Sequence, residues 1–291
     1  MRKIFYLAMV AVTAIFAGCA NDEDALLTTN SLKDTPINVD VLVSGINTRA
    51  GYDNTSQPTM FYLSIDQKDT KYDYTNVVMK YDGSKWVAYE SANENAAKKQ
   101  LLWEGSKGNV TVKAATFSLS DASTTLSVQT DQSNAEAVKA SDHLCYYSNT
   151  VTPSIGGISL ELDHIMSKIT VKLTLGTEYE ASATNPITSV SAFGASTGAT
   201  YSPGAGTPWS ALSNVSKITL IPSVEYDTSN RTATYEAILV PQTIAENTFG
   251  IEIRIGEQTY EWTSAETFKL TGGTNHTLEM TVGNASSANI N

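Results

Sequence analysis

The sequence predicts an all-β protein with two tandem domains, and three observations support this fold class. The 291-residue chain is 41% hydrophobic and 9% aromatic, which is enough apolar surface to offset the entropy of folding. Tyr is the commonest aromatic residue, with 14 copies, and strand-favouring residues alternate with polar ones between clusters of Gly, Asn, Asp and Pro. At about 150 residues per domain, this length predicts two domains.

The chain is strongly acidic. It has 19 Lys and Arg against 30 Asp and Glu, so its formal net charge at pH 7 is −11. A protein that binds nucleic acid through phosphate contacts carries a basic patch or stripe. We therefore expect no nucleic-acid partner.

Residues 1–18 are predicted to be a signal peptide for export. A positive start at Arg2 and Lys3 is followed by an apolar stretch that ends at Phe16. Residues 16–19 resemble a bacterial lipobox, which implies that Cys19 is lipidated and attaches the chain to the outer membrane. Phe16 departs from the usual Leu of that motif. The alternative is an ordinary signal peptide followed by an unrelated cysteine.

The first predicted strand covers residues 37–43. Ile37, Val39, Val41 and Val43 recur at a period of two, so they fall on one face of a strand. Such a face is expected to be buried against the rest of a sheet.

Further strands are predicted along the first half of the chain. The turn Asp82-Gly83 supplies the positive φ of a tight hairpin, and residues 91–101 are the best candidate for a short helix. The predicted strands are 60–65, 77–81, 85–89, 109–117, 124–128, 143–147, 158–162 and 169–175.

A small, polar segment, residues 180–186, is predicted to be the linker between domains. It separates an N-terminal β-sandwich, residues 50–181, from a C-terminal one, residues 182–291; residues 19–49 precede both as a propeptide. Two antiparallel sandwiches are the simplest architecture for such strands. Strands in the second half are predicted at 187–193, 217–221, 232–240, 249–255, 258–262 and 276–282, with a turn at 256–257.

One motif resembles a hydrolase site. Residues 194–198 match the GxSxG nucleophile elbow around Ser196, and Asp227 and His276 follow in the order of an α/β-hydrolase triad. The elbow requires a helix directly after the serine. Residues 199–204 include a Pro-Gly pair and do not favour one, so a turn of small residues is the preferred interpretation.

No other catalytic or metal-binding pattern stands out. The three histidines do not have the spacing of metal ligands. Glu161 and Asp163 alternate along one strand and are expected on its polar face rather than in a pair for glycoside hydrolysis. The sequence therefore predicts a protein that is not an enzyme and holds no cofactor or metal ion.

Several segments, in order, resemble the fimbrillin family, the Mfa-like pilins of type V pili. Residues 160–173 resemble the family signature around His164 and the Ser167-Lys168 pair. The lipobox and the sequence Asn47-Thr48-Arg49-Ala50 extend the resemblance over nearly the whole chain. The other similar segments are 237–244, with its Pro-Gln pair, and 260–278, with its Gly-Gly turn.

The resemblance implies two transthyretin-like β-sandwich domains in a lipoprotein precursor at the outer membrane or in a fimbrium. It also implies that an arginine-specific protease cuts between Arg49 and Ala50 and removes the first strand. The groove left by Ile37, Val39, Val41 and Val43 would take a strand from another fimbrillin subunit. Repeated donor-strand exchange of this kind would build a homo- or heteropolymeric pilus.

Two other roles stay open at this point. Anchor-type members of the family keep the first strand, and the polar tail 283–291 makes a poor donor strand, which favours a non-polymerising anchor or tip subunit. The other role is a monomeric surface lipoprotein that binds glycans. Trp209, in a Gly- and Pro-rich loop, is a candidate ring for stacking on sugars or on a host ligand, or it packs into its own sandwich.

Overall fold

The computed structural model describes residues 32–44, 51–53, 55–69, 71–105, 108–119, 121–179 and 184–283. These residues form an almost entirely β structure, as the sequence predicts. The first strands are β1 Val39–Ser44, β2 Met60–Asp66, β3 Tyr74–Tyr81, β4 Trp86–Tyr89, β5 Val110–Ala115, β6 Thr124–Ser127, β7 Leu144–Val151, β8 Ile158–His164, β9 Ser167–Leu175 and β10 Ile187–Phe193. The later strands are β11 Ser196–Tyr201, β12 Trp209–Val215, β13 Ile218–Thr219, β14 Ile221–Asp227, β15 Thr232–Leu239, β16 Gln242–Ile244, β17 Gly250–Ile255, β18 Gln258–Thr263, β19 Phe268–Leu270 and β20 Asn275–Val282.

The first sheet has seven strands in the order β1-β8-β7-β5-β2-β3-β4. Its neighbouring strands are antiparallel except at one edge, where β1 runs parallel to β8. The inner face of this sheet packs around Phe61, Leu63 and Trp103, which are fully buried. The predicted hairpin at Asp82-Gly83 joins β3 to β4, and Gly83 has the positive φ (97°) that the turn needs.

The other strands form smaller sheets around a second buried cluster. A second parallel pair occurs here, because the edge strand β20 runs parallel to β9. The alternation of apolar residues predicts which face of a strand is buried but not the direction of its partner, so neither parallel pair could be predicted. The sheet orders are β13-β10-β17-β18, β12-β11-β6, β14-β15-β9-β20 and β16-β19.

The grouping of strands does not follow the predicted linker. Strands β6 and β9 lie within residues 50–181, yet β6 pairs with β11, and β9 pairs with β15 and β20. The side chains of β9 accordingly belong to the second buried cluster. The domain boundary at residues 181 and 182 stays a prediction, and the structure joins the two halves through these shared sheets.

The predicted helix at residues 91–101 is wrong. This segment returns alongside β4, where the Lys99 N–H donates to the Ala88 carbonyl oxygen at 2.8 Å and Glu90 N–H donates to Ala97 at 3.0 Å. Pairing with an exposed strand edge outweighs the weak helix propensity of the Ala and Lys residues. The helix that does form, α1 Ala135–Ser141, begins at Asn134, whose side chain caps it.

Five short or irregular strands have no counterpart in the predicted set: β11, β12, β14, β16 and β19. Strand β11 is the clearest example, because its small residues are buried on both faces and show no alternation. Within the described residues, no helix is both long and apolar enough to cross a membrane.

Candidate functional site: the groove under the first strand

The first strand lies at an edge of the seven-stranded sheet. In register, Val39 of β1 lies beside Ile158 of β8, and Ser44 lies beside Asp163. Among the described strands β1 is bonded to β8 alone, because it is the first member of the sheet order. Its removal would break one ladder and leave the other six strands paired.

The structure buries the four residues singled out in the sequence. Ile37 is 7% exposed, Val39 5%, Val41 8% and Val43 4%. They pack with Leu160 and the rest of the first buried cluster, which lines the inner face of the sheet. Without these side chains, an apolar slot would open beside β8.

Backbone hydrogen bonds to residues 101–103 also hold the segment that leads into β1. The Ile37 N–H donates to the Leu101 carbonyl oxygen at 2.9 Å, and the Trp103 N–H donates to Thr35 at 2.9 Å. The Asp34 N–H in turn donates to the Trp103 carbonyl oxygen at 2.9 Å. Residues 34–44 are therefore held twice, by the 101–103 strip and then by β8. The sequence could not predict this contact, because it favours a helix at residues 91–101, and a helix would not pair with residues 34–37.

The close approach of β1 to β8 depends on a glycine. Gly157, with φ +86°, precedes β8, and the Ile158 N–H donates to the Asn38 carbonyl oxygen at 2.9 Å. A Cβ atom at position 157 would lie 2.1 Å from that same oxygen. Only glycine combines this backbone conformation with this proximity.

Strand β1 borders a cavity of about 640 Å³, which Ser159 of β8 also lines. Asp40, Val41 and Leu42 line one side, and Tyr81 and Trp86 of the β3–β4 hairpin line the other. Leu42 is 60% exposed and Tyr81 is 48% exposed. The cavity thus lies beside an edge strand, and exposed strand edges are templates for pairing with another chain.

Cys19, Arg49 and Ala50, the predicted lipidation and processing residues, lie outside the described residues. The described residues nearest the predicted cut are fixed on both sides. Ser44 donates a side-chain hydrogen bond to Asp163, and Tyr52 donates its backbone N–H to Asp142 Oδ2 at 2.9 Å.

Ser196 does not occupy a nucleophile elbow. It lies at the start of β11, a strand rather than a helix, and its N–H donates to Gln242 Oε1 at 2.9 Å. The Gln242 Nε2 donates back to the Ser196 carbonyl oxygen at 2.9 Å. Asp227 accepts hydrogen bonds from its own turn, and His276 accepts one from the Thr271 N–H. Each member of the triad motif therefore has a local structural role.

Trp209 packs against its own fold. Its ring centroid is 4.7 Å from that of Tyr201, and it lies against the second buried cluster. A cavity of about 780 Å³ lies beside it and is lined also by Leu212 and Lys269. Within the described residues, no group of His, Cys, Asp and Glu side chains is arranged to hold a metal ion.

The second cysteine, Cys145, is expected to be unreactive. Cys145 is buried and free, and burial raises the pKa of its thiol to about 12. Since the thiolate is the reactive form, this thiol stays protonated and inert near neutral pH.

The residues of the sequence signature mostly serve the fold. Lys168 Nζ lies 2.9 Å from Glu236 Oε1, and both side chains are largely buried between β9 and β15. His164 Nδ1 lies 2.7 Å from Asp142 Oδ1 in a fully buried pair. Sequence reasoning did not single out Asp142, because nothing in its local pattern marks the partner at the end of β8.

These features define an all-β protein whose first strand lies at a sheet edge with its apolar face buried. The chain belongs to the fimbrillin-like family, whose model matches residues 28–291. No curated protein matches the sequence.

Two solved structures show the same fold. A candidate cell adhesion protein from Bacteroides ovatus superposes with a TM-score of 0.66 at 14% identity, over 89% of this chain and 95% of that one. A second, from Bacteroides uniformis, gives a TM-score of 0.54 at 12% identity, over 88% of this chain and 97% of that one. At these identities the likeness is one of fold.

Proposed function

We propose that the protein is a structural or adhesive subunit of a fimbrium, not an enzyme, that is exported as a lipoprotein on Cys19. Its assembly on the cell surface follows proteolysis after Arg49 and donor-strand exchange with other fimbrillin subunits. One observation carries the proposal: β1, upstream of Arg49, is an edge strand bonded to β8 alone among the described strands, and its three valines and the preceding Ile37 are buried. Membership of the fimbrillin-like family supports it.

The energetics explain why removal of β1 would drive assembly. Burial of four aliphatic side chains contributes on the order of 6–12 kcal/mol, as an upper estimate. Removing residues 1–49 would expose the slot and the edge of β8. A strand from another subunit would restore both the apolar burial and the backbone hydrogen bonds.

The chain's own last strand is the candidate donor. Strand β20 lies at a sheet edge, parallel to β9, and buries Leu278, Met280 and Val282 at a period of two, as β1 does. Donation of β20 would require it to leave β9, because the tail that follows is polar. A subunit that kept β20 in place would accept a strand without donating one and so act as an anchor or tip.

Proteolysis of the exported chain tests the proposal. Residues 20–291 are treated with an arginine-specific protease, and the N-terminal mass and SDS-resistant oligomers are followed. We expect a new terminus at Ala50 and a ladder of oligomers. Arg49→Ala is the control and should give neither. Monomer alone after complete cleavage, or resistance at Arg49, would contradict donor-strand assembly and favour a non-polymerising anchor or tip subunit.

The second candidate function is a monomeric surface lipoprotein that binds glycans. The cavity beside Trp209 favours it, since an aromatic ring next to polar groups suits a sugar. Binding of the uncut monomer to surface polysaccharides, lost in Trp209→Ala, would support this function. Equal binding by both proteins, or none, would exclude this cavity as the site.

A further inference from the structure

We propose that Asp142 and His164 anchor the start of the processed subunit, so that proteolysis at Arg49 releases β1 while Tyr52 and the turn that Asp53 closes with Thr55 and Ser56 stay fixed to the body. Asp142 and His164 act here as positioning residues for a segment far from them in sequence. The inference rests on the proposed function, because it concerns the part of the chain that proteolysis leaves behind.

The anchor is a buried carboxylate with a partner on each oxygen. The Tyr52 N–H donates to Asp142 Oδ2 at 2.9 Å, and His164 Nδ1 lies 2.7 Å from Asp142 Oδ1. The side chains of Asp142 and His164 are 0% and 3% exposed. A carboxylate buried to this extent is costly unless hydrogen bonds satisfy it, so loss of either partner is unfavourable.

Both anchoring residues belong to the part of the chain that would remain. Asp142 ends helix α1, and its own N–H donates to the Lys139 carbonyl oxygen at 3.2 Å. His164 ends β8 and pairs with Leu144 of β7, inside the first sheet. Removal of residues 1–49 would leave both residues in place.

The anchored segment is itself compact. Gly51 is buried, and the half-buried Tyr52 packs against the first cluster. Burial, and next the charge of Asp142, raise the pKa of the Tyr52 hydroxyl. Asp53 Oδ1 accepts the N–H groups of Thr55 and Ser56 at 2.7 and 2.6 Å, which closes a turn directly after the anchor.

The position of the anchor gives it a role in assembly. The last residue of β1, Ser44, pairs with Asp163, and His164 is the next residue of β8. The anchor therefore lies at the end of the groove where β1 finishes. Tyr52 and the turn at Asp53, held at this point, stay out of the vacated groove, which is then open to the incoming strand.

Substitutions at Tyr52 and Asp142 test the anchor. Tyr52→Pro removes the N–H donor together with the ring that packs against the first cluster, whereas the matched control Tyr52→Ala removes the ring and keeps the donor. Asp142→Ala removes the acceptor. Asp142→Asn keeps an oxygen for Tyr52 and an NH₂ group for an unprotonated His164 Nδ1, so it should rescue the anchor.

The measurement is made on residues 20–291, first cut with the arginine-specific protease and then exposed briefly to subtilisin. We expect the unmodified protein, Tyr52→Ala and Asp142→Asn to keep the terminus at Ala50. Tyr52→Pro and Asp142→Ala should lose residues 50–56 at least tenfold faster. Equal trimming of all five proteins would overturn the anchor. If Asp142→Ala does not fold, the Tyr52 pair decides the outcome.

Hydrogen exchange of the uncut chain separates this inference from the proposed function. Faster exchange at residues 53, 55 and 56 in Tyr52→Pro than in Tyr52→Ala supports the anchor even if Arg49 resists the protease. Identical exchange in these two variants contradicts the anchor even if the unmodified protein is cut and assembles.

Discussion

The backbone oxygen of Asn38 occupies the space that a side chain at Gly157 would need. Because a Cβ atom at this position would overlap that oxygen, the absence of one sets how closely β1 approaches β8. The same oxygen accepts the Ile158 N–H at 2.9 Å, which begins the parallel ladder. The fit of β1 against β8 therefore depends on the glycine that precedes β8.

We predict that Gly157→Ala loosens β1. The positive φ alone costs about 1–3 kcal/mol for a residue with a Cβ, and the steric overlap adds to that cost. Hydrogen exchange at residues 37–44 should accelerate, and the free energy of unfolding in urea should fall. Gly156→Ala is the matched control, because its Cβ would meet only Ser154 Oγ at 3.8 Å. Equal effects of the two substitutions would contradict this explanation.

The buried face of the first strand should dominate its contribution to stability. Ile37→Ala is expected to lower the free energy of unfolding by about 2–5 kcal/mol, because it leaves a cavity in the first core. Leu42→Ala, at a position that is 60% exposed, should change it by no more than about 0.5 kcal/mol. Urea denaturation of both variants measures the difference. A Leu42 effect as large as that of Ile37 would contradict the assignment of Ile37 and the valines of β1 to the buried face.

Two ion pairs of β9 should differ sharply in importance. Lys168 and Glu236 are 4% and 14% exposed, whereas Lys172 and Glu279 are 54% and 63% exposed. Glu236→Leu takes the carboxylate away from a largely buried cation and should cost about 3–5 kcal/mol, while Glu279→Leu should cost about 0–1 kcal/mol. Thermal and urea unfolding test the contrast, and similar costs would contradict an effect of burial on these pairs.

We predict that the environment of Glu252 lowers the free energy of unfolding in acid. Its carboxylate accepts a hydrogen bond from Lys217 at 2.5 Å and lies beside Arg254, and these contacts lower its pKa below the ordinary 4.5. The folded state therefore binds this proton more weakly than the unfolded state does. The stabilising contribution is complete above about pH 4.5 and disappears as the pH falls through the folded-state pKa.

Lys217→Met checks this pH dependence. It should lose less free energy of unfolding than the unmodified protein between pH 6 and pH 3. The control Lys269→Met should follow the unmodified protein, since Lys269 lies on β19, away from this pair in sequence and sheet. Parallel pH curves for the unmodified protein and Lys217→Met would show that Glu252 is not the group responsible.

Much of the fold could be predicted because the alternation of apolar and polar residues along a strand indicates which face is buried. The apolar residues of β1, β9 and β20 occur at a period of two, and the structure buries those faces. Asp82-Gly83 likewise marks its hairpin through the φ that glycine allows. These patterns are local, so they can be recognised in the sequence without knowing which strands pair.

What sequence reasoning missed is non-local. Strand β11 buries small residues on both faces and so has no alternation to detect. The pair Asp142 and His164 connects residues 22 positions apart, and Tyr52 joins it from 90 positions away. The two halves of such a site become neighbours only when β7 and β8 pair, which no spacing rule captures.

The register of β1 has a consequence for the order of folding. Strands β2, β3 and β4 pair with neighbours that are close in sequence. In β1, by contrast, Val39 pairs with Ile158, which is far away in sequence. Contacts between distant parts of a chain carry the largest loop-closure cost and form slowly. We therefore expect β1 to dock after the local hairpins have formed. The strand that we propose the protease removes would then be among the last to fold onto the sheet. After its removal, the subunit would resemble a late folding intermediate, and a strand from a second chain would complete the fold.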